Sequence, residues 1–166
     1  SAHLYDGSRS LYGIAFESFS AVSLREHFRS VPDIIRFSNS LCYIPRGQGI
    51  LPLREAASAQ VFPALVSHRV EGTRTQPAKV NPVEARRVAA LFGAMVNHDA
   101  YEGLTFGIIS LLGGEQSMEI ERQIMKYLAI DESRLELLKG SGGATRRLCG
   151  EPPNFQGDER TVILVS

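Results

Sequence analysis

The sequence predicts an α/β fold built on a mainly parallel sheet, and three observations predict it. Strand-like segments alternate with helix-like segments along most of the chain. Residues 104–110 form an apolar run with few charges, as a strand covered on both faces of a parallel sheet requires. Asn81-Pro82-Val83-Glu84 is a strong helix start: Asn81 can cap, Pro82 suits the first helical position, and Glu84 can reach back to the cap's N–H.

Taken in order, the first strand is expected at residues 21–24. A helix should follow, capped by Ser30 with Asp33 at the third helical position, and Ile34, Ile35, Ser38, Leu41 and Cys42 should mark one face. Residues 45–52 are rich in Gly and Pro and read as a loop or hairpin. Residues 62–70 alternate Phe62, Ala64, Val66, His68 and Val70, the pattern of a half-exposed strand, and residues 71–80 read as a polar linker. The helix from Asn81 carries Val88, Leu91, Phe92, Met95 and Val96 at helical spacing. After the strand at 104–110 comes a helix with Ile120, Ile124, Tyr127 and Leu128 on one face. A shorter helix follows, capped by Asp131 and stopped near Gly140. Residues 147–149 and 161–165 are the last expected strands, and the chain holds no internal repeat.

At 166 residues the chain is the length of one ordinary domain, and a single domain over 1–166 is the expectation. The abrupt start at Ser1-Ala2-His3 and the end at Ser166, on a strand, read as the boundaries of a domain excised from a longer protein. Composition is globular: 43% hydrophobic and 22% charged residues exclude a disordered or fibrous chain. No apolar run is long enough to cross a membrane and no signal peptide opens the chain, so no membrane partner is expected. Cys42 and Cys149 lack metal-ligand spacing and read as buried free thiols of a cytoplasmic protein. His3, His27, His68 and His98 are scattered and predict no metal site. The net charge is zero but uneven: residues 1–90 hold 11 Lys/Arg against 7 Asp/Glu, and residues 91–166 hold 7 against 11. That asymmetry permits a local nucleic-acid face without requiring one.

Three segments have residues suited to ligand chemistry, and each has a plainer reading beside it. Glu26-His27-Phe28-Arg29-Ser30 lies between a strand and a helix, where open α/β sheets place ligands. Arg29 there can fork onto a phosphate and Phe28 can stack on a base; the plain reading is a surface Arg and a core Phe. Ser110-Leu111-Leu112-Gly113-Gly114-Glu115-Gln116 is a strand end running through glycines into a helix. It is either a phosphate-holding turn or simply a tight bend. Phe155-Gln156-Gly157-Asp158-Glu159-Arg160 precedes an apolar strand, and a carboxylate there can accept from ribose hydroxyls; the alternative is a solvated turn. Arg86 and Arg87 lie on the polar side of the capped helix and read as solvated.

In this order the segments resemble the superfamily I helicases, the branch that includes bacterial DNA helicases. Leu24-Arg25-Glu26-His27-Phe28-Arg29 is similar to motif IV, Leu-x-x-Gln/Asn-Tyr-Arg, and Pro32 to Asn39 to the helix after it. Asn81-Pro82-x-Glu84-Ala85 resembles the Asn-x-x-Glu-Ala helix start of the second motor domain. Ile108-Ile109-Ser110 followed by Gln116 resembles Val-Ile-Thr-Pro-Tyr-x-x-Gln, and Phe155-Gln156-Gly157-Asp158-Glu159 resembles motif V. The resemblance runs from about residue 11 to the last residue.

This resemblance implies a RecA-like second motor domain of an ATP-dependent DNA or RNA helicase. It implies that Phe28 stacks on the adenine and that Arg29 reaches the γ-phosphate as the catalytic arginine. Gln156, Gly157 and Glu159 would complete this domain's nucleotide contacts, with Glu159 on the ribose, and Ser110, Gln116 and Asn154 would face a bound single strand. The sequence departs from the pattern in places. Phe28 replaces Tyr, Leu111-Leu112 replace Pro-Tyr, Gln116 sits one residue late, and Glu151 and Pro153 stand where motif V begins Thr-x-Asp. No Gly-x-x-x-x-Gly-Lys-Ser/Thr loop occurs, so ATP and Mg²⁺ are expected to need an N-terminal P-loop domain as partner. The motif VI arginine is expected beyond Ser166, and the chain by itself is expected to be inactive. The alternative is a helicase-like scaffold with no catalytic role.

Overall fold

The computed structural model describes residues 10–56, 60–128, 132–140 and 147–166. They form an α/β chain of small parallel sheets and flanking helices, in two compact units, Ser1–Leu65 and Val66–Ser166. Ser1, Ala2, His3 and the Asp131 cap lie outside the described residues, as do the side chains of Tyr127 and Leu128.

The first unit begins with α1, Leu11–Ser18, whose cap Ser10 accepts from the N–H of Gly13 at 3.1 Å. Strand β1 is Glu26–His27, and residues 21–24, where the sequence suggests a strand, are irregular. Helix α2 spans Pro32–Ser38 and is capped by the extended Val31 rather than by Ser30. Pro32 decides this, because its fixed φ and missing N–H suit the first helical position. Ser30 instead gives its N–H to His27 Nε2 at 3.0 Å. The helix continues as a π-turn over Asn39–Tyr43 and a 3₁₀ turn over Ile44–Arg46. Ile35 is buried, but Leu41 and Cys42 are exposed, contrary to the single face read from the sequence. The π-turn adds a residue to each turn, so a spacing of 3.6 no longer keeps them in line. Residues 51–52 are not the far arm of a hairpin. They form β2, Leu51–Pro52, parallel to β1, and Asn39 holds the approach by bonding both N–H and C=O of Ile50 at 2.8 and 2.7 Å.

The alternation over 62–70 does not produce a strand. Pro63 has no N–H for a ladder, and most of these side chains are exposed.

The second unit holds the core. Helix α3, Pro82–Val96, starts at the Asn81 cap as expected, and its side chain accepts from Glu84 N–H at 3.2 Å. Strand β3, Phe106–Ile109, is central: β4, Cys149–Gly150, and β5, Val162–Val165, pair parallel to it on either side. Helices α4, Gly114–Leu128, and α5, Glu132–Lys139, connect β3 to β4, and Gly140 ends α5 at φ +77°. Phe92, Phe106, Ile108, Ile120 and Ile124 are fully buried, with Phe92 and Phe106 edge to face at 5.4 Å. Because all three strands run the same way, Ser110, Glu151 and Ser166 emerge at one edge of the sheet.

Candidate functional site

In the first unit, Phe28 and Arg29 occupy the turn between β1 and α2. The ladder to β2 fixes one side of it, since Leu53 donates to the carbonyl of His27 at 2.9 Å. The His27 ring fixes the other by taking the N–H of Ser30, and Arg54 donates to the carbonyl of Arg29. Both side chains project from this pinned backbone: Phe28 is 69% exposed and Arg29 is exposed too. An aromatic with most of its surface in water is not a core residue, so that plainer reading of Phe28 fails.

In the second unit, residues from four segments meet at the carboxyl edge of the sheet. Gln116 is fully buried and serves as the hub. Its Oε1 accepts from the N–H of Asn81 at 2.8 Å, and its Nε2 donates to Asn81 O at 3.4 Å and Ser166 Oγ at 3.2 Å. Ser166 Oγ donates in turn to Glu84 Oε1 at 3.0 Å, and Asn81 Nδ2 to Glu84 Oε2 at 3.2 Å. The capping box therefore closes through a third party: the cap's N–H is taken by Gln116, and Glu84 is left to bind Ser166. Leu111 N–H bonds Ser166 O at 2.6 Å, tying the turn after β3 to the end of β5.

This corrects the roles expected of Ser110 and Gln116 as side chains facing a nucleic acid. Ser110 is 1% exposed and accepts from Leu112 N–H at 3.2 Å; Gln116 has spent its hydrogen bonds internally. Both shape the turn rather than line a surface. Beside that turn stands the carboxylate of Glu151: a Cβ added at Gly113, whose φ is +106°, would lie 3.4 Å from its Oε1. An acidic group there opposes a phosphate at the start of α4.

The connection from β4 to β5 crosses the face of β3. Glu151 and Asn154 begin it at the carboxyl edge, where Asn154 Oδ1 accepts from Glu151 N–H at 2.9 Å and its side chain is exposed. Phe155 then lies on the sheet over Gly107 and Gly150; a Cβ on Gly107 would come within 2.8 Å of the Phe155 ring. Neither strand position tolerates a side chain, which is why glycine stands inside β3. Gln156, Gly157 and Glu159 are exposed, and Gly157 turns the chain at φ +80°. The connection ends at the amino edge, where Thr161 N–H bonds Thr105 Oγ1 at 3.0 Å.

Arg160 holds this end and was not apparent as a functional residue in the sequence. Its side chain is 1% exposed and sits 5.9 Å from the Phe155 ring centroid. It donates to Phe106 O at 2.9 Å, Glu159 O at 3.1 Å and Arg147 O at 3.4 Å, and it pairs with Asp158. Asp158 also accepts from Glu159 N–H at 2.8 Å. A buried guanidinium so fully bonded fixes the Gln156–Glu159 turn. The only hint in the sequence was an Arg two residues after an Asp, just ahead of an apolar strand.

The Arg122 hydrogen bond, opposed by burial, lowers the Glu119 carboxyl, and burial pushes the Cys149 thiol up. Among the described residues no three His, Cys, Asp or Glu are placed to hold a metal ion, and no helix is long and apolar enough to cross a membrane. The chain matches no family model, no curated protein and no solved structure.

Proposed function

We propose that this chain is the second, RecA-like motor domain of a cytoplasmic ATP-dependent superfamily I helicase or translocase. The observation that carries the reading is the turn that displays Phe28 and Arg29 together, pinned by His27 and Arg54 with both side chains outward. Such a pair suits an adenine face and a γ-phosphate brought up by another domain. Arg29 is the catalytic arginine in this account, and Phe28 the stacking partner. In the second unit Gln156, Gly157 and Glu159 form an exposed turn of their own, preset by Arg160, and the Glu159 carboxylate suits hydroxyl donors.

ATP and Mg²⁺ would be held chiefly by a P-loop domain of the same protein, and this chain supplies its arginine to that site. Single-stranded DNA or RNA would pass the carboxyl edge of the sheet, touching Asn154 and the backbone of residues 111–114. Ser110 and Gln116 set the shape of that turn from inside. No catalysis is expected of the chain alone, because one arginine accelerates phosphoryl transfer only when the metal and the P-loop lysine are also in place.

The placement of Glu151 beside Gly113 favours a second reading, a helicase-like scaffold that no longer grips a strand. ATP turnover by the full two-domain protein, with and without single-stranded DNA or RNA, separates the two. Turnover that rises on adding one of the strands supports the motor and identifies its track. No turnover from folded protein with Mg²⁺ present supports the scaffold.

A further inference from the structure

We propose that the groove between residues 68–71 and the first two turns of α3 binds the phosphodiester backbone of a nucleic acid through Arg69, Arg86 and Arg87. The groove is open, encloses about 550 Å³, and is lined by those three arginines with His68 and a single carboxylate, Glu71. All three arginines are exposed. Arg87 Nε donates to the Nε2 of His68 at 2.8 Å, which orients its guanidinium without neutralising it. The carboxylate that feels Arg86, Glu119, is already bonded by Arg122 at 2.7 Å. Three like charges thus share one groove, and among the described residues none has an ion-pair partner. That arrangement is unfavourable until an anion arrives.

The surroundings are not generally basic. Residues 66–166 carry 12 Lys/Arg against 13 Asp/Glu, so the excess is confined to this groove. Arginine, with its planar fork, matches the paired oxygens of a phosphate. No Phe, Tyr or Trp lines the groove and the His68 ring is engaged by Arg87, so contact would be chiefly to the backbone and indifferent to sequence. Its apolar lining is limited to Val70, Val83 and Ala90, too little to anchor a peptide. The site extends the track of the proposed motor and rests on that reading only for the polymer's identity. Arg86 and Arg87, plain solvated charges by sequence, become ligands here.

The test is anisotropy of a labelled single strand and of a labelled duplex, titrated with the chain at several salt concentrations. The triple substitution Arg69→Ala, Arg86→Ala, Arg87→Ala is compared with wild type, and an unchanged melting curve verifies its fold. Losing three phosphate contacts should lower the salt slope by roughly 2 for a single strand or roughly 2.7 for a duplex, and weaken binding at low salt by at least about tenfold. Whichever polymer shows that loss is the ligand. Binding with unchanged slope and affinity overturns the groove but leaves the motor reading intact, since the strand would then be held elsewhere. Failure of wild type to bind either polymer, or equal binding of polyglutamate, overturns the groove as well. The motor reading is judged separately by ATP turnover.

Discussion

The unit ending at Leu65 and the unit beginning at Val66 treat their apolar side chains in opposite ways. From Val66 onward, Phe92, Phe106, Ile108, Ile120 and Ile124 close a core around β3. Before it, Val31 and Ile35 are the buried apolar side chains among the described residues. Of the 22 large apolar residues that stand exposed among the described residues, 15 belong to the first unit, Phe28 among them. The polar groups divide likewise: the second unit buries a hub at Gln116 and a clamp at Arg160, whereas the first fixes its key turn with exposed bonds such as that of Arg54. An exposed turn can be held by a short ladder and a few surface side-chain bonds, at little cost in core. Positioning a crossover above a sheet takes buried polar bonds.

The sharpest way to break this contrast is cysteine labelling, since each unit carries one thiol. Cys42 is exposed, and Cys149 is buried with its thiol held up by that burial. At neutral pH Cys42 should react with a maleimide at once, and Cys149 on the order of a thousandfold more slowly, as only opened molecules expose it. In denaturant the two rates should converge. Equal rates in the native protein would remove the distinction.

Next in size is Arg160→Ala, which removes a buried guanidinium bonded to three backbone carbonyls and to Asp158 and should cost about 2–4 kcal/mol in urea unfolding. Phe28→Ala in the other unit should cost less than about 0.5 kcal/mol. A comparable loss from both would mean that Phe28 is packed rather than presented. Smaller again, Gln116→Ala should cost about 1–3 kcal/mol, because it strands the N–H of Asn81 and loosens Ser166. A neutral result would reduce the hub to a surface contact.

What the sequence made legible was local. Asn81 and Pro82 start α3 where their chemistry says they should, the apolar run around Ile108 is the central strand, and Gly140 stops α5. The pattern over 62–70 misled because alternation has meaning only where a neighbouring strand takes the hydrogen bonds. Gln116 and Arg160 were illegible for a different reason. A polar residue looks the same in sequence whether it is solvated or buried, and the partners that decide it lie 35 and 54 residues away. Gly107 did carry a signal, as a glycine inside a strand marks a close approach, here the ring of Phe155.

The central claim is that Arg29 reaches into an ATP site, and its most direct test is Arg29→Ala in the full two-domain protein. Turnover stimulated by a single strand should fall by about 10³–10⁵ while ATP binding stays near wild type, as loss of a transition-state arginine requires. Turnover unchanged by the substitution would contradict the claim.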